Sequence, residues 1–576
     1  RSTRGYNPAP RWAAGARARR RGFDPAPEGR ADCSHGWSAG SPTGDPKRNP
    51  WEVDVLIPAP VGSEEAFGRL VGFPTSRHRP ANRVGDPGID PRVMKDAVTL
   101  AGSALQTDLT VTAIMVRVAD ATRSATPDRA RSFNRLEQCL VWLLVVVASA
   151  FGVTAPCRAA RPATQPAAFK FKFGSGTEDP GFVRIAAASA YTPQAGYGFG
   201  KDPAVTFSPD GYCTSDKPFF FSIDVPEGNY NVTVTLGRAS AESVTTVKAE
   251  ARRLVLERVR TPAGKVERRS FTVNVRNSRL KSGQSVRLKP DEQGSLDWDN
   301  RLTLEFSDVH PCLGALEVRP ADDAVTVFIA GDSTVCDQGK EPWCAWGQML
   351  PRFFAPGVAI ANYAESGESA RSSISERRLE KIAETIKPGD YLLIQFGHND
   401  QKDKGANAGP FTTYQEALKK YLDAARQHGA NPVLITSMNR RSFDDAGKIT
   451  NSLGDFPEAV RQRAKEQNVP LIDLNAMSKT LYEAWGEEKS VKAFVHYPAN
   501  TFPGQTKELK DNTHFNAYGA YELARCVIEG IKADKLGIAK FLADDMPAFD
   551  PSHPDPAEAW VLPMSPTTAS TTPEGH

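Results

Sequence analysis

The chain has 576 residues, of which 40% are hydrophobic and 24% charged, and a formal net charge of +3. This is the composition of a globular protein with material for two or three domains. So small a net charge on a 62.6 kDa chain excludes a general electrostatic case for nucleic-acid binding; the excess arginine is local, crowded before residue 136.

Residues 1–114 are rich in Arg, Pro, Gly and Ala, show no sustained strand or helix period, and begin with Arg1 where Met is usual. They read as a disordered or non-native upstream extension. Within them Gly36-Trp-Ser-Ala-Gly40 matches a nucleophile-elbow string, but it lacks the strand before and helix after that the elbow requires. Residues 115–160 read as a signal-peptide region. Arg129, Arg131 and Arg135 precede the apolar run Cys139–Ala148, small residues follow, and Met115 is a suitable start. The run is too short to span a bilayer, which needs about twenty apolar residues, so the expectation is a secreted or periplasmic protein with no stable membrane span. Beyond this region stand Cys213, Cys312, Cys336, Cys344 and Cys526. Cys336 and Cys344 are the pair best placed for a disulfide, with two buried free thiols as the alternative. No Cys-x-x-Cys or His-rich spacing suggests a metal, and no cofactor is implied.

From 168 to 320 the pattern is short alternating strands, at 219–225, 230–236, 254–256, 270–275 and 302–306, divided by Gly, Pro, Asn and Asp. This predicts a β-sandwich. It loosely resembles the galactose-binding-like jelly rolls attached to carbohydrate-active enzymes, and Trp298, Tyr197 and Tyr212 could stack on a sugar or simply fill the core.

Residues 325–545 alternate buried strands (325–330, 391–396, 432–436, 469–473) with helices near 346–354, 414–428, 458–466 and 517–531. This predicts a three-layer α/β domain around a parallel sheet. The remainder, 546–576, is heavy in Pro, Ser and Thr and reads as a disordered tail.

Three strings in the α/β region concentrate reactive groups: Gly331-Asp332-Ser333-Thr334, Gly397-His398-Asn399-Asp400 and Asp511-Asn512-Thr513-His514. The first two follow buried strands, and in a parallel sheet ligands bind outside the carboxyl ends of strands. Ser333 is the candidate nucleophile, because a serine hydroxyl needs a base to take its proton as it attacks an ester carbonyl. His514 is that base and Asp511 its orienter, although Asp-x-x-His by itself is also an ordinary polar loop before a helix. Candidate oxyanion donors are the backbone N–H of Ser333, the backbone N–H of Gly367 and the side-chain amide of Asn399, each typically worth about 3 kcal/mol in the transition state. Candidate substrate contacts are His398, Arg440 and His496. The competing readings are a brace for the Asn399 loop in the case of His398 and solvated loop charge in the case of Arg440.

These blocks resemble those of the SGNH, or GDSL, hydrolase superfamily. Ile329–Val335, Ser369–Ser372, Gln395–Lys402 and Thr513–Gly519 look like rhamnogalacturonan acetylesterases in particular. The resemblance covers about 325–545. It implies an SGNH-type flavodoxin-like sheet and family roles for Ser333, Gly367, Asn399, Asp511 and His514. It further implies a metal-free esterase acting on acetylated plant cell-wall polysaccharide or oligosaccharide. The rival expectations are another short-acyl esterase, for example on acetylxylan, and a catalytically silent cell-surface sugar-binding protein.

Overall fold

The computed structural model describes residues 168–176 and 179–567. The expectations for the upstream extension, its elbow-like string and the signal region fall on residues outside that range.

The first part is the expected sandwich. One five-stranded sheet runs in the order 267–275, 228–236, 315–320, 169–173, 183–185, and the facing sheet in the order 197–199, 219–224, 301–307, 243–249, 253–261. Alternating residues point inward, as in strand Gly228–Leu236, where Tyr230, Val232, Val234 and Leu236 are buried. The core between the sheets is aromatic, with Phe171, Phe173, Phe199 and Phe221 meeting edge to face at 5.2–6.0 Å. The three candidate sugar-stacking rings are engaged elsewhere. Tyr212 is buried, Tyr197 packs on Phe171 at 5.0 Å, and Trp298 lies under the Arg276 guanidinium at 4.7 Å while its indole N–H donates to Glu292.

The second part is a parallel sheet of five strands, β1 (Val325–Gly331), β2 (Val358–Asn362), β3 (Tyr391–Gln395), β4 (Asn431–Ile435) and β5 (Leu471–Ile472), in the order β2-β1-β3-β4-β5. The period of two assigns its side chains to two cores. Val327, Ile329, Leu393, Val433 and Ile435 pack with α1 (Trp346–Met349), α6 (Leu474–Ser490) and α7 (Ala517–Ala533). Phe328, Ala330, Leu392, Ile394 and Leu434 pack on the other face with α3 (Arg378–Thr385), α4 (Gln415–Gln427) and α5 (Phe456–Gln467); the short α2 (Ala370–Ser375) precedes α3. In a sheet of this order the chain winds in opposite senses from β1 and β3, which opens a crevice at their carboxyl ends.

Three features depart from the sequence expectations. His514 lies not on a loop but near the end of strand β7 (Leu509–Phe515), paired antiparallel with β6 (Phe494–Tyr497). The strand was hidden because Lys-Asp-Asn-Thr-His is polar and owes its extended form to its partner. Cys336 and Cys344 are free and buried: the Cys344 thiol donates to Gln348 Oε1 at 3.0 Å, and Cys336 lies 3.6 Å from Ser366 Oγ. The segment 546–567, expected as a flexible tail, is packed. Trp560 sits 5.1 Å from Tyr521, Phe549 lies under Arg525 at 4.2 Å, and Ser565 is buried between the two domains, with its N–H on Glu341 and its hydroxyl on Glu305. A few apolar anchors hold a segment whose composition alone suggests none.

Burial pushes the thiols of Cys336 and Cys344 upward, the latter to about 12, which suppresses thiolate chemistry. Native treatment with iodoacetamide is therefore expected to leave Cys213, Cys312, Cys336, Cys344 and Cys526 unmodified by peptide mass mapping, and reductant to leave Tm unchanged. A Tm that falls on reduction would show a disulfide among them.

Candidate active site

Ser333 sits where β1 ends. After Gly331 the chain turns sharply, the N–H groups of Val335 and Cys336 both bonding to the carbonyl of Asp332 at 3.0 and 3.1 Å. The turn is packed against β3: a Cβ on Gly331 would lie 2.7 Å from the Gln395 carbonyl oxygen, so only glycine fits. The Asp332 carboxylate accepts from the N–H and hydroxyl of Thr334, at 3.0 and 2.7 Å, fixing the residue on the far side of Ser333 as well.

The partner of Ser333 comes from 181 positions away. In the β6–β7 hairpin Val495 faces Asp511 while the adjacent Phe494 faces Phe515, so residues 512–514 bulge out of the ladder. Asp511 stabilises its own bulge: one carboxylate oxygen accepts from the N–H groups of Thr513 and His514 at 2.8 and 2.9 Å. Its other oxygen lies 2.8 Å from His514 Nδ1, and the Trp343 indole N–H approaches that same oxygen at 3.5 Å. The far ring nitrogen, Nε2, is 2.7 Å from Ser333 Oγ. Immediately afterwards Asn516 caps α7, its side chain accepting from the Gly519 N–H at 3.2 Å. The imidazole is thus held between a pinned bulge and a capped helix. A carboxylate, imidazole and hydroxyl in this sequence can carry a proton off the serine oxygen while it attacks.

The other candidates are tied to the serine turn through hydrogen bonds. Gly367 has φ +77°, a left-handed conformation that suits glycine. Its loop is tied to the serine turn through Gln338, whose amide donates to the Ser333 carbonyl at 2.9 Å and to Ser366 Oγ at 3.4 Å. Asn399 donates one amide hydrogen to the Glu368 carbonyl at 3.1 Å, next to Gly367; the second hydrogen of its NH₂ group is available to a ligand.

Two of the three candidate substrate contacts lie elsewhere. His398 is 2% exposed, with Nδ1 3.4 Å from the Asp332 carboxylate, and so packs against the serine turn. Burial lowers its pKa against the pull of that carboxylate. His496 pairs with Asn512 Oδ1 at 2.9 Å on the outside of the hairpin. Arg440 remains at the rim, half-buried, donating to the carbonyls of Ser452 and His398 at 3.3 Å. Lys402, which the sequence reading did not single out, joins it, reaching Asn399 Oδ1 at 3.3 Å. Burial pulls the Lys402 ammonium below the usual lysine range, and the charge of Arg440 adds to the effect. The run Asn399-Asp-Gln-Lys402 forms a 3-10 turn from Asp400 to Lys402, and that turn returns the lysine to the amide.

The GDSL-like lipase/acylhydrolase family matches residues 329–520, a stretch containing all of Ser333, Asp511 and His514. The galactose-binding domain-like module of beta-agarase/YXIM esterase-like proteins matches 169–257. Rhamnogalacturonan acetylesterase RhgT of Bacillus subtilis (strain 168) is 47% identical over 216 residues, 37% of this chain and 91% of that protein. Probable rhamnogalacturonan acetylesterase YesY of the same organism is 37% identical over 215 residues, 37% of this chain and 94% of that one. A likeness that runs through both domains is to the uncharacterized esterase YxiM, also from Bacillus subtilis (strain 168), at 27% identity over 403 residues, 66% of this chain and 94% of the relative.

Asp400, beside this site, carries a pH signature. Its carboxyl is 4% exposed and accepts from the Ala370 N–H at 2.9 Å, and burial, with Asp332 nearby, pushes it up to about 8. The unfolded chain loses this proton near pH 4, so between about pH 4 and 8 the folded state binds the extra proton and stability falls as pH rises, levelling off above about 8. Asp400→Asn is expected to remove that slope: the melting-temperature difference, variant minus parent, should grow from pH 5 to pH 8. A difference that stays flat across that range would show that Asp400 is ionised in the fold.

Proposed function

Because this chain belongs to the GDSL-like lipase/acylhydrolase family and is a serine carboxylic-ester hydrolase with a carbohydrate acetylesterase role, we propose that it deacetylates pectic rhamnogalacturonan through an acetyl-Ser333 intermediate. The observation that carries this reading is the unbroken line from Asp511 through His514 to Ser333 Oγ, with contacts of 2.8 and 2.7 Å.

In the proposed reaction Ser333 Oγ attacks the acetyl carbonyl as its proton moves to His514 Nε2, while Asp511 holds the imidazole and stabilises the imidazolium. The tetrahedral oxyanion is met by the N–H groups of Ser333 and Gly367 and the amide of Asn399. Collapse breaks the bond to the sugar oxygen, which leaves with the proton from His514. The same ring then takes a proton from water, the hydroxide attacks acetyl-Ser333, and acetate departs as Ser333 recovers its proton. The cationic rim of Lys402 and Arg440 supports a uronate-bearing polymer, since a carboxylate beside the acetylated sugar would find charge-assisted donors there. Export is part of the same proposal, supported by the arginines and the apolar run at 139–148 and by the need for an enzyme of cell-wall polymers to reach them.

Ser333→Ala and Asp511→Asn are each expected to lower kcat on an aryl acetate by about ten-thousandfold, measured by release of the phenol, with the fold retained by circular dichroism. Full activity in Ser333→Ala would move the chemistry elsewhere. For the substrate, Lys402→Ala is expected to raise KM about tenfold on acetylated rhamnogalacturonan fragments while leaving KM on acetylated xylan fragments unchanged. Equal effects on both, or faster acetate release from xylan by the parent enzyme, would defeat the pectic assignment.

A further inference from the structure

The sandwich reaches into the loop that carries Gly367. The segment following strand Glu267–Val275 crosses to the α/β domain and is fastened there at several points: the Arg287 N–H donates to the Glu376 carbonyl at 3.0 Å, and Glu292 accepts from Arg378 at 2.9 Å. Between these anchors, Lys289 has its own N–H on Glu292 Oε2 at 2.9 Å. Its ammonium donates to the carbonyl oxygen of Ser366 and pairs with the Glu368 carboxylate at 2.7 Å. One cation therefore grips the residues on both sides of Gly367.

The grip extends further. Glu368 is 1% exposed; its carboxylate is shared by Lys289 and the Ser372 hydroxyl, the latter at 2.6 Å, and its carbonyl receives the Asn399 amide. Lys289 is 14% exposed. Burial opposes its charge, but the contact with Glu368 more than offsets this and keeps the ammonium protonated. Without that cation, a buried carboxylate would lose its nearest counter-charge, and the loop carrying the left-handed Gly367 would lose the donor that fixes the Ser366 carbonyl.

We infer that Lys289, a residue of the β-sandwich, is a positioning residue for ester hydrolysis. By holding Ser366 and Glu368 it sets the direction of the Gly367 N–H and, through the Glu368 carbonyl, of the Asn399 amide. The inference rests on the serine-esterase reading above. It gives the upstream domain a part in the rate of the reaction, distinct from any part in holding polymer. Lys289 touches no reacting atom, so its effect falls on the transition state more than on the ground state.

The full chain is assayed with p-nitrophenyl acetate, measuring kcat and KM separately. Lys289→Met is expected to lower kcat by about ten- to a hundredfold, short of the loss of a whole oxyanion donor, with KM within about twofold of the parent. Lys289→Arg, which keeps a charged donor, is expected to restore most of the lost kcat. Should Lys289→Met fail to fold, Glu368→Gln, which keeps the shape and removes the charge, is expected to show the same fall in kcat at constant KM. If Lys289→Met, or Glu368→Gln in its place, keeps kcat within about twofold while Asn399→Ala loses it, the inference is overturned and the active-site reading stands. If Asn399→Ala and Ser333→Ala also keep full activity, it is the active-site reading that falls.

Discussion

Two adjacent arginines at a turn of the sandwich, Arg252 and Arg253, are buried against the α/β domain, and the position of the whole site depends on the partners they collect. An arginine taken out of water costs several kcal/mol unless carboxylates and carbonyls surround it. Arg253 has the carbonyl of Asn274 and the carboxylate of Asp297 from its own domain, and the Ile360 carbonyl and Asp337 from the other, all at 3.0–3.1 Å. Arg252 donates to the carbonyls of Gln338 and Trp343 at 2.8 and 3.0 Å and pairs with Glu341 at 2.6 Å. Gln338 and Trp343 are also the residues that touch the Ser333 carbonyl and the Asp511 carboxylate. The seam between the domains and the two halves of the site are therefore one connected set of hydrogen bonds. Loss of one seam partner would leave a charge stranded in the interior and disturb both.

Beside the serine turn lies a second polar layer. Asp332, Thr334, Gln395 and His398 are all buried, and the Gln395 side chain links Thr334 to the Trp346 indole at 3.0 and 2.8 Å. Thr334, Gln395 and Trp346 satisfy one another there, whereas both ring nitrogens of His398 and one oxygen of Asp332 are buried without a hydrogen bond, so the layer is only partly satisfied. The front of the site, with Lys402 and Arg440, is partly open to water.

The parts that could be read from sequence were those with local causes. Buried parallel strands such as Val325–Gly331 are continuous β-branched runs, and Ser333 and Asn399 stand just past such runs, so both the sheet and the crevice were visible. Ala517–Ala533 announced itself through its apolar spacing. What escaped had distant causes. Strand β7 is polar and extended only because Phe494–Tyr497 pairs with it. The ordered stretch 546–567 depends on Tyr521 and Arg525 as receivers for Trp560 and Phe549. Cys344 prefers Gln348, one helical turn away, to Cys336. His398 carries the same residue type as His514 within a similar string and is equally buried, and only the partner reached distinguishes them: Ser333 Oγ at 2.7 Å for His514, the Asp332 carboxylate at 3.4 Å for His398. Nothing in the local sequence around Lys289 connects it to Gly367.

The stretch 546–567 also reaches onto the sandwich. Lys248 of that domain, buried beside Glu305, donates at 2.8 Å to both the carbonyl of Pro563 and the hydroxyl of Ser565, while the Glu341 N–H donates to the Thr567 carbonyl at 2.9 Å. During synthesis these residues are made after the strands and helices of both domains. Without them the Lys248 ammonium keeps Glu305 and Glu341 nearby but lacks its two hydrogen-bond acceptors, and this edge of the sandwich lacks its cover. Closure of that edge therefore waits on residues 563–567.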